Sequence, residues 1–200
     1  MSKKSFEIQA VKPVYEGFFR TETVQFSHSL YQGGFTPIID RELFCRNQAV
    51  VVLLYDAKAE QVALVEQCRV GALAEAKRLN TPEHAWLLEP VAGMIDPGET
   101  AMQAGIREVK EEAGVTVDEL EFISEFYPSP GACDEILQLY AVEISIDDVV
   151  EFAGLEDEHE DIKIVKLSFA EAKQRIQNGQ MNVATTMIAL QWLFYQKLNS

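Results

Sequence analysis

Two hundred residues and 22.5 kDa suffice for one ordinary domain with a small extension, and for a real hydrophobic core. Hydrophobic residues at 48% and charged residues at 24%, with seven Pro and eleven Gly, exclude a disordered or collagen-like chain. Seventeen basic against 32 acidic residues leave a net charge of −15, which repels a nucleic-acid backbone and speaks against a general DNA or RNA binder. A small phosphate-bearing ligand stays compatible, because a local Arg or a bound cation reverses the sign inside a cleft.

In chain order, Phe6–Val14, Phe18–Phe26 and Thr36–Phe44 are rich in β-branched and aromatic residues and predict strands. Pro13, Gly17 and the pair Gly33-Gly34 punctuate them. Ala49–Tyr55 and Gln61–Glu66 predict a hairpin across Asp56–Glu60, and Gln67–Pro82 reads as a polar loop with room for a short helical turn. Trp86–Val91 is a further strand, ending at Ala92-Gly93. The period then changes from two to about 3.6, so Glu99–Ala113 predicts a helix closed by Gly114. Phe122–Tyr127 and Ile136–Ile146 return to strand character around the turn Pro128-Ser129-Pro130-Gly131. Glu143–Asp161 holds nine acids and no Lys or Arg. Ile162–Leu167 is a strand, Ser168–Glu171 a capping box that starts a helix ending near Gly179, and Asn182–Leu198 a closing helix. The layout is α/β with a mixed sheet and few helices, divided into a β-rich region 1–45 and a domain 46–200.

The longest apolar runs are strand-sized, and charge interrupts the N-terminus before an apolar stretch forms. A cytoplasmic protein with no membrane segment and no secretory signal is therefore expected. Cys45, Cys68 and Cys133 lie far apart and form no CxxC, so reduced thiols are expected rather than a disulfide or zinc framework. His28, His84 and His159 show no metal-ligand spacing. Trp86 and Trp192 fit core or interface positions better than base-stacking platforms.

Chemistry concentrates between Gly93 and Val115. On a helix Glu108, Glu111 and Glu112 are related by three and four residues and project to one side. Like charges so placed repel by about a few tenths of a kcal/mol per pair unless something compensates. One or two hard divalent cations are the natural compensation, held beside phosphates by carboxylate oxygens. Glu99 precedes Arg107 by about two helical turns, and an Arg between carboxylates can orient them with its fixed fork of donors. A bare run of these acids would more often be a solvated helix face. The full pattern is more specific: Gly93, Glu99, Arg107, Glu108, Val109, Glu111, Glu112, Gly114 and Val115 at fixed spacing.

That pattern resembles, position for position, the signature box of the Nudix hydrolases. Three further features look like the ADP-ribose pyrophosphatase subgroup of dimeric bacterial type. They are the strand Trp86–Gly93 entering the box, Pro130 sixteen residues after Gly114, and the C-terminal run from Asn182 to Leu193. The resemblance implies a Nudix fold, with a mixed β-sheet sandwiched between helices and a β-rich N-terminal extension exchanged between the subunits of a homodimer. It implies cleavage of ADP-ribose to AMP and ribose 5-phosphate with two or three Mg²⁺ (or Mn²⁺) ions per site. A GDP-mannose or other nucleotide-sugar pyrophosphatase, or a ligand-sensing Nudix module without turnover, is the alternative.

By the same resemblance Glu108 and Glu112 are metal ligands, Ala92 contributes its backbone carbonyl, and Glu99 and Glu111 support or add to metal binding. Arg107 belongs to the catalytic set. In the acidic loop Gly154–Asp161, Glu158 matches the general base and Glu160 a further metal contact, with Glu156 and Glu160 as the neighbouring candidates for the base. Arg41 and Arg69 match substrate-contacting arginines. Phe18, or equally Phe19, lies where an aromatic stacks on adenine, and Glu135 matches a carboxylate near the terminal ribose. Cys133-Asp134 departs from the small polar pair expected beside Glu135.

Overall fold

The computed structural model describes residues 3–155 and 159–198. The chain forms two compact units, Met1–Gln48 with Tyr127–Ile136, and Ala49–Phe126 with Leu137–Ser200.

The first unit is an antiparallel meander of β1 (Phe6–Glu16), β2 (Arg20–His28) and β3 (Ile39–Cys45). Proline 13 is tolerated because β1 is an edge strand and the pairing shifts register between Pro13 and Tyr15. β2 starts two residues later than the sequence predicts, because Gly17 donates its N–H to the Phe19 carbonyl and makes Gly17–Phe19 a turn. The segment 127–136 joins this unit through backbone bonds from Phe44 N–H to the Ala132 carbonyl (2.8 Å) and from Asp134 N–H to the Phe44 carbonyl (3.3 Å).

The second unit is built on an eight-stranded sheet. Its strands are β4 (Gln48–Asp56), β5 (Gln61–Cys68), β6 (Trp86–Glu89), β7 (Val91–Met94), β8 (Glu121–Phe126), β9 (Ile136–Glu143), β10 (Phe152–Ala153) and β11 (Ile162–Ser168). The main path runs β10-β11-β5-β4-β9-β8. Alternate residues of β4 enter different cores, which is why its sequence is apolar throughout instead of alternating. Val50, Val52 and Leu54 pack with Ala104, Val109 and Ala113 of helix α2 (Ala101–Ala113). Val51, Leu53 and Tyr55 pack with Phe169 and Ala172 of α3 (Phe169–Gln177) and with Ala189 and Leu190 of α4 (Ala184–Trp192). The sheet is thus covered by helices on both faces, as expected.

β4 and β5 pair only near their turn, from Leu54–Ala63 to Asp56–Gln61. Beyond it they splay, and the chain 86–94 fills the gap. β6 pairs with β5 (Val65 opposite Glu89), and β7 pairs with β4 (Val52 opposite Val91). The sequence reading made this one strand; Pro90, with no N–H to give to a ladder, is where it changes partner.

Other elements also differ from expectation. Val70–Leu79 is a ten-residue helix, α1, rather than a loop with a short turn. It buries only Ala76, so its apolar period is faint, and Asn80 closes it in the left-handed region (φ 56°). Helix α2 begins at Ala101, because Thr100 and Gln103 form a capping box; Glu99 therefore lies outside it. β9 ends at Glu143, and β10 was not foreseen in the acidic segment. The closing helix is α4 followed by a π-helical turn, Leu193–Lys197. The capping box at Ser168 and Glu171 and the Gly114 cap of α2 (φ 72°) form as the sequence predicts. All three cysteines carry free thiols. No helix among the described residues is long and apolar enough to cross a membrane.

Candidate active site

Helix α2 lies against β7, and the carboxylates of the box meet the strand there. Glu112, the penultimate residue of α2, is only 3% exposed. Its Oε2 accepts a hydrogen bond from the Ala92 backbone N–H at 3.1 Å. Burial, with the Glu108 and Glu160 carboxylates adding to it, pushes the Glu112 carboxyl up to about 8, while the Ala92 N–H and Arg69 pull the other way. Burial also raises the Glu108 carboxyl, against the lowering effect of Arg107. The sequence-predicted Glu108 and Glu112 are therefore together, and Glu160 lies within electrostatic reach of both. The Glu160 N–H donates to the Leu155 carbonyl at 3.1 Å, which closes the neck of the acidic loop. Glu158 and Glu156 lie outside the described residues.

Arg107 organises the other acids. Its Nε donates to Glu99 Oε1 (3.2 Å) and its Nη1 to Glu108 Oε1 (2.6 Å) and Glu111 Oε2 (3.0 Å). Its Nη2 donates to Glu99 Oε2 and the Met94 carbonyl, each at 3.1 Å. The paired guanidinium holds Glu99 below the usual carboxylate range, and the Arg107 pKa is raised by the same bonds. Glu99 reaches this cluster from outside the helix, so its role depends on the chain turning back at Asp96–Glu99, where the Glu99 N–H donates to the Asp96 carbonyl.

These residues suit a hard divalent cation. Glu112 is a buried carboxylate that has, among the described residues, a single neutral hydrogen-bond partner, beside two further carboxylates, and a nearby cation is what would stabilise its charged form. As the side chains lie, no three His, Cys, Asp or Glu groups among the described residues already surround one point, since Arg107 engages Glu108.

Of the predicted substrate residues, Arg69 lies in this unit. It caps the N-terminus of α1 and pairs with Glu89. The others lie in the first unit. Phe18, 83% exposed, packs edge-on against Phe19 with ring centroids 4.8 Å apart. Phe19 packs on Phe44 and carries the Arg46 guanidinium 4.7 Å above its ring. Arg46 Nε sits 3.1 Å from Glu135 Oε1, an ion pair without hydrogen-bond alignment, and its backbone N–H donates to Asp134 at 2.7 Å. Phe18, Phe19 and Glu135 therefore gather around Arg46, a residue that sequence reasoning missed. Its only signal was its place in the short link between the predicted strands Thr36–Phe44 and Ala49–Tyr55. Pro130 lies in the turn where Cys133 N–H bonds the Ser129 carbonyl. Arg41 is exposed and hydrogen-bonds only the Asp40 carbonyl among the described residues, so nothing joins it to the Arg46 group.

The NUDIX domain family profile matches residues 46–184. The chain belongs to the Nudix family. It is 36% identical over 192 residues to an ADP-ribose pyrophosphatase of Haemophilus influenzae, covering 96% of this chain and 87% of that one. It is 33% identical over 153 residues to a GDP-mannose pyrophosphatase of Shigella flexneri, covering 76% of each. A crystal structure described as an ADP compounds hydrolase superposes with a TM-score of 0.69 at 23% identity, covering 97% of this chain and 94% of that one, and shows the shared fold. The chain is a Nudix hydrolase, and Nudix enzymes generally use divalent metal ions.

Proposed function

We propose that this Nudix hydrolase cleaves the pyrophosphate of ADP-ribose, giving AMP and ribose 5-phosphate. The supporting observation is the extent of likeness. The ADP-ribose pyrophosphatase relative matches 96% of this chain, N-terminal strands included, against 76% for the GDP-mannose pyrophosphatase. The cluster of Phe18, Phe19 and Arg46 with Glu135 suits a nucleobase and a sugar hydroxyl.

Glu108, Glu112, Glu160 and the Ala92 carbonyl would hold Mg²⁺ or Mn²⁺, with Glu99 and Glu111 in support. When bound, the cations neutralise the pyrophosphate charge and acidify a water. Glu158 removes the proton of the attacking water. Arg107 keeps Glu99, Glu108 and Glu111 aimed, and Arg69 binds the pyrophosphate. Hydrolysis cleaves one P–O bond of the bridge, and each product leaves as a monophosphate. The β-rich strands 1–45 act as the exchanged dimerisation region, so sedimentation should find a species of twice 22.5 kDa.

The test is phosphate release by alkaline phosphatase over a panel of nucleotide sugars with Mg²⁺. Intact ADP-ribose resists that phosphatase; AMP and ribose 5-phosphate do not. ADP-ribose should lead the panel. GDP-mannose in first place would move the assignment to the second relative's activity, and no release from any member would favour a sensing module.

A further inference from the structure

The second unit places two arginines near the buried carboxylates and uses them differently. Arg107 commits Nε, Nη1 and Nη2 to protein acceptors. Arg69 commits only Nε, which donates to Glu89 Oε2 at 2.7 Å. Among the described residues, the two terminal nitrogens of Arg69 have no hydrogen-bond partner.

The backbone of Arg69 is fixed as firmly as its Nε. Its N–H donates to the Ala85 carbonyl and its carbonyl accepts from the Ala72 N–H, both at 2.9 Å. Glu89 is anchored in turn: it ends β6 opposite Val65, with its side chain 14% exposed. Three residues further on, past Pro90, Ala92 donates to Glu112. Glu89, at the end of β6, thus lies three residues before the β7 anchor of the central carboxylate, and Arg69 acts electrostatically on Glu112. A guanidinium held by Nε keeps its Nη1–Nη2 edge, whose two parallel N–H groups match two oxygens of a phosphate. An unpaired arginine would lose rotamer freedom on binding, and a guanidinium already clamped does not.

We infer that Glu89 is a positioning residue: it clamps Arg69 so that the open edge of the guanidinium is set for the anionic pyrophosphate of the substrate. The inference rests on the pyrophosphatase reading and deepens it. A merely structural pair would tie α1 to β6 and show in thermal stability alone; a positioning pair shows in affinity.

The experiment is a double-mutant cycle read by calorimetric binding of α,β-methylene-ADP with Mg²⁺, a probe whose bridge cannot be hydrolysed, and by steady-state kinetics on ADP-ribose. Glu89→Gln and Arg69→Ala should each weaken binding by roughly tenfold, the size of one charge-assisted hydrogen bond. The double variant should bind no worse than Arg69→Ala, because both remove one device. In turnover, Glu89→Gln should raise KM with kcat within about twofold. Arg69→Lys keeps the charge but loses the two-nitrogen edge, and should also bind roughly tenfold more weakly. Unchanged probe affinity in Glu89→Gln, additive losses in the double variant, or wild-type affinity in Arg69→Lys would each overturn the assignment. If the wild type cleaves no ADP-ribose, the functional reading fails, while the binding cycle still decides the role of Glu89.

Discussion

A side chain at Gly93 would overlap the carboxylate of Glu108. The first and fourth fixed positions of the box are thus one steric unit: β7 carries no Cβ where α2 leans its acid against the strand. Gly93→Ala is expected to push Glu108 off Arg107 and out of reach of any shared cation. The rate should fall by about a hundredfold, with a loss of stability of about 1–3 kcal/mol from overpacking. Turnover assays and thermal melts check both; wild-type turnover would show that Glu108 has slack the packing does not suggest.

Glu112 links metal binding to pH. Its carboxyl is pushed up to about 8 in the fold, from 4.5 in the unfolded chain. Below 4.5 it is neutral in both states and costs nothing. As pH rises towards 8 the unfolded chain sheds this proton and the folded chain keeps it, so stability from this group is progressively lost. In EDTA, the wild type should therefore lose stability relative to Glu112→Gln across that window. Mg²⁺ added at pH 7 should release a proton, measurable as a buffer-dependent heat. The same variant, with its fold intact, should lose at least about a hundredfold in rate at saturating Mg²⁺.

Arg107→Lys separates orientation from charge. A lysine keeps the cation but cannot satisfy Glu99, Glu108, Glu111 and the Met94 carbonyl at once. The expected outcome is a fall in kcat of about tenfold or more and a higher Mg²⁺ requirement, with little change in KM, because the guanidinium has no donor left for substrate. A rise in KM alone would place Arg107 on the substrate instead.

The acidic loop yields to a three-variant series. Glu158→Gln should cut the rate by roughly two to four powers of ten with substrate affinity kept, as loss of a general base does. Glu156→Gln should be nearly silent. Glu160→Gln should raise the Mg²⁺ concentration for half-maximal rate. A crippled Glu156 variant beside an active Glu158 variant would shift the base by two residues, and three silent variants would send the search to Glu111.

The box was legible because helical spacing converts local sequence into geometry: Arg107 and Glu111, four residues apart, meet at 3.0 Å. The two-faced burial of β4 was legible as an unbroken apolar run. Helix α1 was not, since it buries only one small residue, Ala76, and so leaves no apolar stripe to read. The capping box displaced the start of α2 because Thr100 and Gln103 bond each other's backbones, a local signal that the reading of Glu99 as helical overlooked. Arg46 with Glu135, and Arg69 with Glu89, were out of reach for another reason. Each pair joins residues distant in sequence, and periodicity carries no record of such meetings.

The double burial of β4 also dictates how this gene tolerates mutation. A strand with one wet face forgives every second position; β4 has no forgiving position from Val50 to Tyr55, because each residue is at most 2% exposed. In a substitution scan scored by turnover, β4 should appear as a continuous six-residue blackout. β11 should show gaps at Lys163 and Lys166, which face outward. Errors at Val50, Val52 and Leu54 loosen the helix that carries the acids, so some should spare abundance and abolish turnover. Errors at Val51, Leu53 and Tyr55 loosen α3 and α4 and should remove the protein itself. Neighbouring codons would then produce alternating classes of defect along a single strand.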